Sequence, residues 1–298
     1  MFFIIKKIKY VFYLIFNPLV VSNKIIKDIR KDFFSRNFNS DHKFVWCAGL
    51  PKSGTTMIED ILDELPYVKF DSSLLRNFDN RNLNHPHGIS NEMFLNIPKK
   101  KYTYLKTHTH YSDFYEKIAN ENNAKIIISI RDIRDMLISR YYHLKNDKNH
   151  PMSQIISNLN FEEGFFKSIT LPIKDNNKDA LSFYSEWIFK WLEVAEKKKY
   201  LVLRYEDYVK DEEKYINKIL IYLELQNQFD KKKINNVLQK NRKKFTNFEK
   251  NINKKGFFQK TFRSGKIGEW KFLFTDKIND HIDKKLNSNY KNKIFYNL

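Results

Sequence analysis

Cysteine is nearly absent from this 298-residue chain; Cys47 is the only one. No intrachain disulfide can form and no thiolate metal cage can be built, so packing must hold the fold, and a reducing, cytoplasmic setting is expected. Cys47 lies in an apolar run, as a buried structural thiol does. Glycine and proline number seven each, which excludes collagen-like and Pro/Gly-rich disordered chains. Long apolar runs are missing too. Residues 1–21 are hydrophobic and basic, but their unbroken apolar part, residues 10–16, is far short of the ~20 residues that cross a bilayer. Lys6, Lys7 and Lys9 give the segment a basic side, which suits contact with a membrane surface; a terminal helix packed on the domain is the alternative. No small-x-small pattern follows to mark a cleaved signal peptide.

Acidic residues are outnumbered, 35 Asp and Glu against 54 Lys and Arg, for a formal net charge of +19. Such a surface attracts phosphates, nucleic acid or anionic lipid. Most of the lysines read as solvated surface in a chain rich in Lys, Asn and Ile throughout. Hydrophobic residues at 42% and aromatics at 16% indicate a folded protein. The length suits an N-terminal hydrophobic and basic segment, 1–40, followed by one large domain, 41–298.

Apolar runs at 44–49, 102–106, 124–131 and 200–204 read as buried strands. Helical spacing marks 57–65, 132–146, 154–167 and 180–199, with another helix from Glu206 and a helical, basic end. Segment 67–100 is irregular. Strands alternating with helices predict a three-layer α/β/α fold around a central, mostly parallel sheet.

Between the first strand and helix stands Gly49-Leu50-Pro51-Lys52-Ser53-Gly54-Thr55-Thr56. There, backbone N–H groups and the positive end of a helix dipole can cradle phosphate, Gly54 allows close approach, and Ser53, Thr55 and Thr56 add hydroxyls. The glycine spacing is that of a Walker loop in a P-loop NTPase-like fold, but Thr55 stands where that loop has its lysine, and Lys52 lies earlier. Four more islands follow in order: Leu105-Lys106-Thr107-His108, Arg131 with Ser139 eight residues on, Leu203-Arg204-Tyr205-Glu206-Asp207-Tyr208, and Arg263-Ser264-Gly265-Lys266-Ile267-Gly268-Glu269-Trp270-Lys271. A strand-end Arg and a Ser on the next helix can converge on one phosphate. Residues two apart on a strand share a face, so Lys106 and His108 are expected on one side and Thr107 on the other.

Together the islands resemble the sulfotransferases that use 3′-phosphoadenosine 5′-phosphosulfate (PAPS), whose phosphate loop reads Pro-Lys-Ser-Gly-Thr-Thr-Trp. The match runs from Pro51 to Thr56 and departs at Met57; Ser264 likewise replaces a family lysine. The resemblance implies transfer of a sulfuryl group to an acceptor hydroxyl or amine (small molecule, lipid or glycan), leaving 3′,5′-bisphosphate adenosine. It implies that Lys52, Ser53, Gly54, Thr55 and Thr56 hold the 5′-phosphosulfate, with Met57 beside the adenine. Arg131, Ser139, Arg263 and the backbone near Gly265 would hold the 3′-phosphate. Tyr205 and Phe245 would pack the adenine side. His108 would be the general base, with Lys52 and Lys106 neutralising charge in place of a metal. Glu59 is a rival base. His110 forms a His-x-His pair with His108, but no further ligand stands at metal-binding spacing. A P-loop kinase or NTPase, and a basic membrane-associated binding protein without chemistry, are the alternatives; neither explains the ordered islands, and no nucleic-acid partner is expected.

Overall fold

Six consecutive apolar or small residues, Phe44–Gly49, form strand β1, and all six are buried. A strand covered on both faces belongs inside a parallel sheet, and the computed structural model places it there. The structure describes residues 44–65, 67–69, 102–173, 177–228, 239, 265–286 and 288–296. Strands β2 (Val68–Lys69), β3 (Thr103–Thr107), β4 (Lys125–Ile130) and β5 (Leu201–Arg204) join β1 in the order β2-β3-β1-β4-β5, and every pairing is parallel. Helix α1 (Thr55–Glu64) follows β1, α2 (Asp113–Glu121) follows β3, and α3 (Ile133–Asn146) follows β4. Then come α4 (Pro151–Ile156), α5 (Phe161–Thr170) and α6 (Ala180–Lys198) before β5, with α7 (Tyr205–Lys210) and α8 (Glu212–Tyr222) after it. The last elements are α9 (Trp270–Leu273), α10 (Asp276–Lys285) and α11 (Ser288–Ile294). Among the described residues no helix is long and apolar enough to cross a membrane.

Strand alternation divides the core into two. Phe44, Trp46, Ala48, Ile126 and Ile128 face one cluster, shared with α3, α5 and α6. Val45, Cys47 and Ile127 face the other, shared with α1 and α8. The expected three-layer α/β/α architecture is therefore present. Burial pushes the Cys47 thiol well above its ordinary range, so it stays protonated and inert.

Three elements differ from the sequence reading. The two-residue strand β2 is too short to show an apolar period. Helix α2 comes from a polar stretch and is started by Ser112, whose hydroxyl accepts from Phe114 N at 3.2 Å. The helix expected at 154–167 is two helices, because Pro151 opens α4 and Asn160 caps α5 by accepting from Glu163 N at 2.9 Å.

Trp46 anchors the larger cluster. Its Nε1 donates to Thr107 Oγ1 at 2.9 Å, and its ring meets Trp191 edge-on with centroids 5.4 Å apart. Trp46→Ala removes this packing and one hydrogen bond to a buried hydroxyl, so it is expected to cost about 3–5 kcal/mol. Urea unfolding checks this: the midpoint should fall sharply with little change in slope.

Candidate active site

The site is built at the C-terminal end of β1. Leu50 N donates to Ser129 O at 2.8 Å, tying the loop to the end of β4. Lys52 and Gly54 both adopt left-handed backbone, with φ of 64° and 80°. Residues of this kind curl successive N–H groups into an anion-binding concavity. A Cβ on Gly54 would lie 2.6 Å from the Tyr205 ring, and one on Gly49 would lie 2.0 Å from the Thr55 methyl, so both glycines are required by contact, and Gly54 by conformation as well. No side chain caps α1 and no acidic residue occupies its first turn. Its positive dipole end therefore faces the loop without competition. Thr56 is exposed and Thr55 is buried at the helix start.

Ser53 is placed differently from expectation. Its hydroxyl is buried, donates to Leu50 O at 2.6 Å and lies 3.0 Å from Ser129 Oγ, which donates to Ser53 O. It closes the loop from beneath and is not turned outward as a phosphate donor. Met57, expected beside the adenine, is only 3% exposed and packs in the smaller core cluster. The Lys52 ammonium is pushed down to about 8, first by burial and then by the Arg131 charge.

Arg131 follows β4 directly and is buried. Its Nη2 donates to Lys266 O at 2.6 Å and its Nη1 to Lys52 O at 3.4 Å, while its guanidinium sits 4.6 Å above the Tyr205 ring. The neighbouring acids are engaged elsewhere. Asp132 binds the Arg134 guanidinium at 2.6 and 2.9 Å. Asp135 accepts from Gly268 N at 2.6 Å and Trp270 N at 3.2 Å; burial raises its pKa while Arg131 works against the rise. Arg131 Nε is buried with no hydrogen-bond partner among the described residues. Ser139 lies two turns along α3 and is half-buried.

Tyr205 opens α7. Its hydroxyl donates to Gly265 O at 2.8 Å and its ring packs on Gly54. Gly265 and Gly268, with φ of 67° and 76°, shape the turn into α9, and Arg134 locks that turn by lying 3.6 Å above the Trp270 ring. The first, third, fourth and fifth islands thus meet around Arg131. Phe245, Arg263 and Ser264, like segment 1–21, lie outside the described residues.

The second island lies at the end of β3. Lys106 and Thr107 face opposite sides of β3, as alternation predicts: Thr107 accepts from Trp46, and Lys106 Nζ meets Glu59 Oε2 on α1 at 2.7 Å. His108 lies just past the strand, its Nδ1 2.6 Å from Gly49 O. A carbonyl only accepts, so Nδ1 carries the hydrogen and a neutral ring holds its lone pair on Nε2, the form a general base needs. His110 packs edge-on against Phe183 at 4.2 Å, and burial pushes its pKa down to about 4, which marks a structural histidine. Sequence reasoning missed the Asp135 cap and the Glu59–Lys106 pair, although Glu59 drew notice for its place after the loop.

A parallel sheet whose central strand feeds an anion-binding loop defines a nucleotide-phosphate-binding α/β protein. A sulfotransferase domain model matches residues 42–293, and the chain belongs to that family and is a sulfotransferase. It is 27% identical over 268 residues to a flavonol 3-sulfotransferase of Flaveria bidentis, covering 84% of this chain and 82% of the relative. It is 26% identical over 255 residues to sulfotransferase 1C2 of Oryctolagus cuniculus, covering 78% of each. Among solved structures, a mouse sulfotransferase complexed with PAP superposes with a TM-score of 0.60 at 17% identity over 88% of each chain. A retinol dehydratase complexed with retinol and PAP gives 0.54 at 17% identity, over 91% of this chain and 88% of that one. These two likenesses bear on fold.

An anion in the loop favours charged Lys52, so binding there takes up a proton above about pH 8 and weakens as pH rises through that value. The rise in Tm caused by inorganic sulfate, taken relative to Lys52→Ala, should be full near pH 7 and fade through that range. In Lys52→Arg it should persist, because a guanidinium does not titrate there. An equal loss with pH in both proteins would refute the assignment.

Proposed function

We propose that this sulfotransferase uses PAPS as donor, a small hydroxyl-bearing molecule as acceptor, and His108 as general base. The observation that carries the reading is the 2.6 Å contact from His108 Nδ1 to Gly49 O, which seats a base of the right tautomer against the phosphate loop. The residues fit an adenosine bisphosphate. A left-handed nest and an uncapped helix start meet one phosphate. A buried arginine whose Nε has no hydrogen-bond partner, and which makes no carboxylate ion pair, among the described residues is suited to a second.

In this reading Lys52 and the backbone of 53–56 hold the 5′-phosphosulfate. Arg131, Ser139, Arg263 and the Gly265 backbone hold the 3′-phosphate, and Tyr205 and Phe245 flank the adenine. The bound donor supplies an activated sulfur on a phosphate leaving group. His108 Nε2 takes the acceptor's proton as the acceptor oxygen bonds to sulfur and the sulfur–oxygen bond to phosphate breaks. Lys52 and Lys106 counter the charge that grows on the departing oxygen, yielding a sulfated acceptor and adenosine 3′,5′-bisphosphate (PAP). The small acceptor is supported by the flavonol named for one relative and the retinol held by one structural neighbour.

Calorimetry at fixed salt tests the donor. PAP should bind at least tenfold more tightly than ATP–Mg²⁺, and Arg131→Ala should erase the difference, since a hydrogen bond to a charged group is worth about 1.5–3 kcal/mol. Equal binding, or preference for ATP–Mg²⁺, would favour a kinase. The base is tested with His108→Gln, which should retain PAP binding yet slow transfer by roughly 10²–10⁴-fold.

A further inference from the structure

Glu59 lies in the second turn of α1, and its Oε2 is 2.7 Å from Lys106 Nζ; the two side chains are 11% and 5% exposed. Lys106 is opposite Cys47 in the β3–β1 register, so the pair bridges the sheet and α1. Stability does not account for it. Desolvating two charges offsets most of their attraction, and an apolar pair of the same size serves a core as well or better. The pair does, however, fix a direction. An ammonium has three N–H donors on a flexible stem, and the carboxylate engages one of them from the α1 side.

We infer that Glu59 is a positioning residue for Lys106. It holds the ammonium aimed, leaving the other two N–H groups for the donor, and it does not take the acceptor's proton. This rests on the reading above, in which Lys106 counters charge on the departing phosphate oxygen. That charge develops fully only in the transition state, so loss of Glu59 should appear in kcat and hardly in the KM for the donor.

The experiment is a double-mutant cycle on the full chain, with PAPS and 4-nitrophenol as substrates and PAP binding measured in parallel. Glu59→Gln should lower kcat about 10–100-fold, in line with a small misplacement of a reacting group, while the KM for PAPS stays within about threefold. Lys106→Met should lower kcat at least as far. The double variant should match Lys106→Met with no further loss, since Glu59 acts only through that lysine. Removing both charges leaves a near-isosteric neutral pair with no unpaired charge buried, so the double variant should fold even if Glu59→Gln does not, and its Tm verifies this. An unchanged kcat in Glu59→Gln, or a double variant whose loss is the product of the two single losses, overturns the inference; the latter result would point to Glu59 as a base in its own right. If wild type neither binds PAP nor turns over, the functional reading fails and this inference with it.

Discussion

The guanidinium of Arg131 joins three parts of the chain that are remote in sequence. It binds the carbonyl of Lys52 in the phosphate loop, the carbonyl of Lys266 near the C-terminal turn, and the face of Tyr205 after β5. Tyr205 in turn holds Gly265 and packs on Gly54, closing a ring of contacts. A buried cation is costly when nothing answers its charge. Among the described residues it hydrogen-bonds to backbone carbonyls, while the charges of Asp135 and Glu206 answer it without an ion pair. The site is thus arranged around a positive charge that a bound anion would complete.

That arrangement depends on occupying the nearby acids. Asp132 is consumed by Arg134 and by Tyr296 N at 2.9 Å, and Asp135 by the backbone of the Gly268–Trp270 turn. Glu206, fully buried, accepts from Asp132 N at 2.8 Å, and burial raises its pKa. Each acid therefore builds scaffold: one fixes the start of α3, one fixes the turn before α9, one ties β5 to β4. Had either aspartate turned to Arg131, the ion pair would have neutralised that cation.

The fold was legible because its central strands are continuous apolar runs, and β1 and β4 need no context to be read. The phosphate loop was legible because its glycines and lysine stand at fixed spacing between a strand and a helix. Side-chain direction was harder. Ser53 looks like a phosphate donor in sequence, yet the β1–β4 pairing brings Ser129 beneath the loop, and the two hydroxyls bind each other and the backbone. Met57 sits in the first turn of α1 on the face that packs against the sheet, so its thioether follows the core. Neither outcome is written in local sequence, because each depends on a partner brought in by tertiary structure. The Glu59–Lys106 contact is of the same kind, spanning 47 residues.

The loop's backbone shows why a lysine can precede the second glycine here, when a Walker loop needs it afterwards. Lys52 takes a left-handed conformation, which costs a side chain with a Cβ of order 1 kcal/mol or more. Something must hold it there, and the Arg131 hydrogen bond to the Lys52 carbonyl acts at that residue. The same bond draws the two cations together, and this proximity adds to the effect of burial in lowering the Lys52 pKa to about 8. Strained backbone and close like charges are both unfavourable in the empty loop. An anion beside Lys52 would answer the second of these, the excess of positive charge.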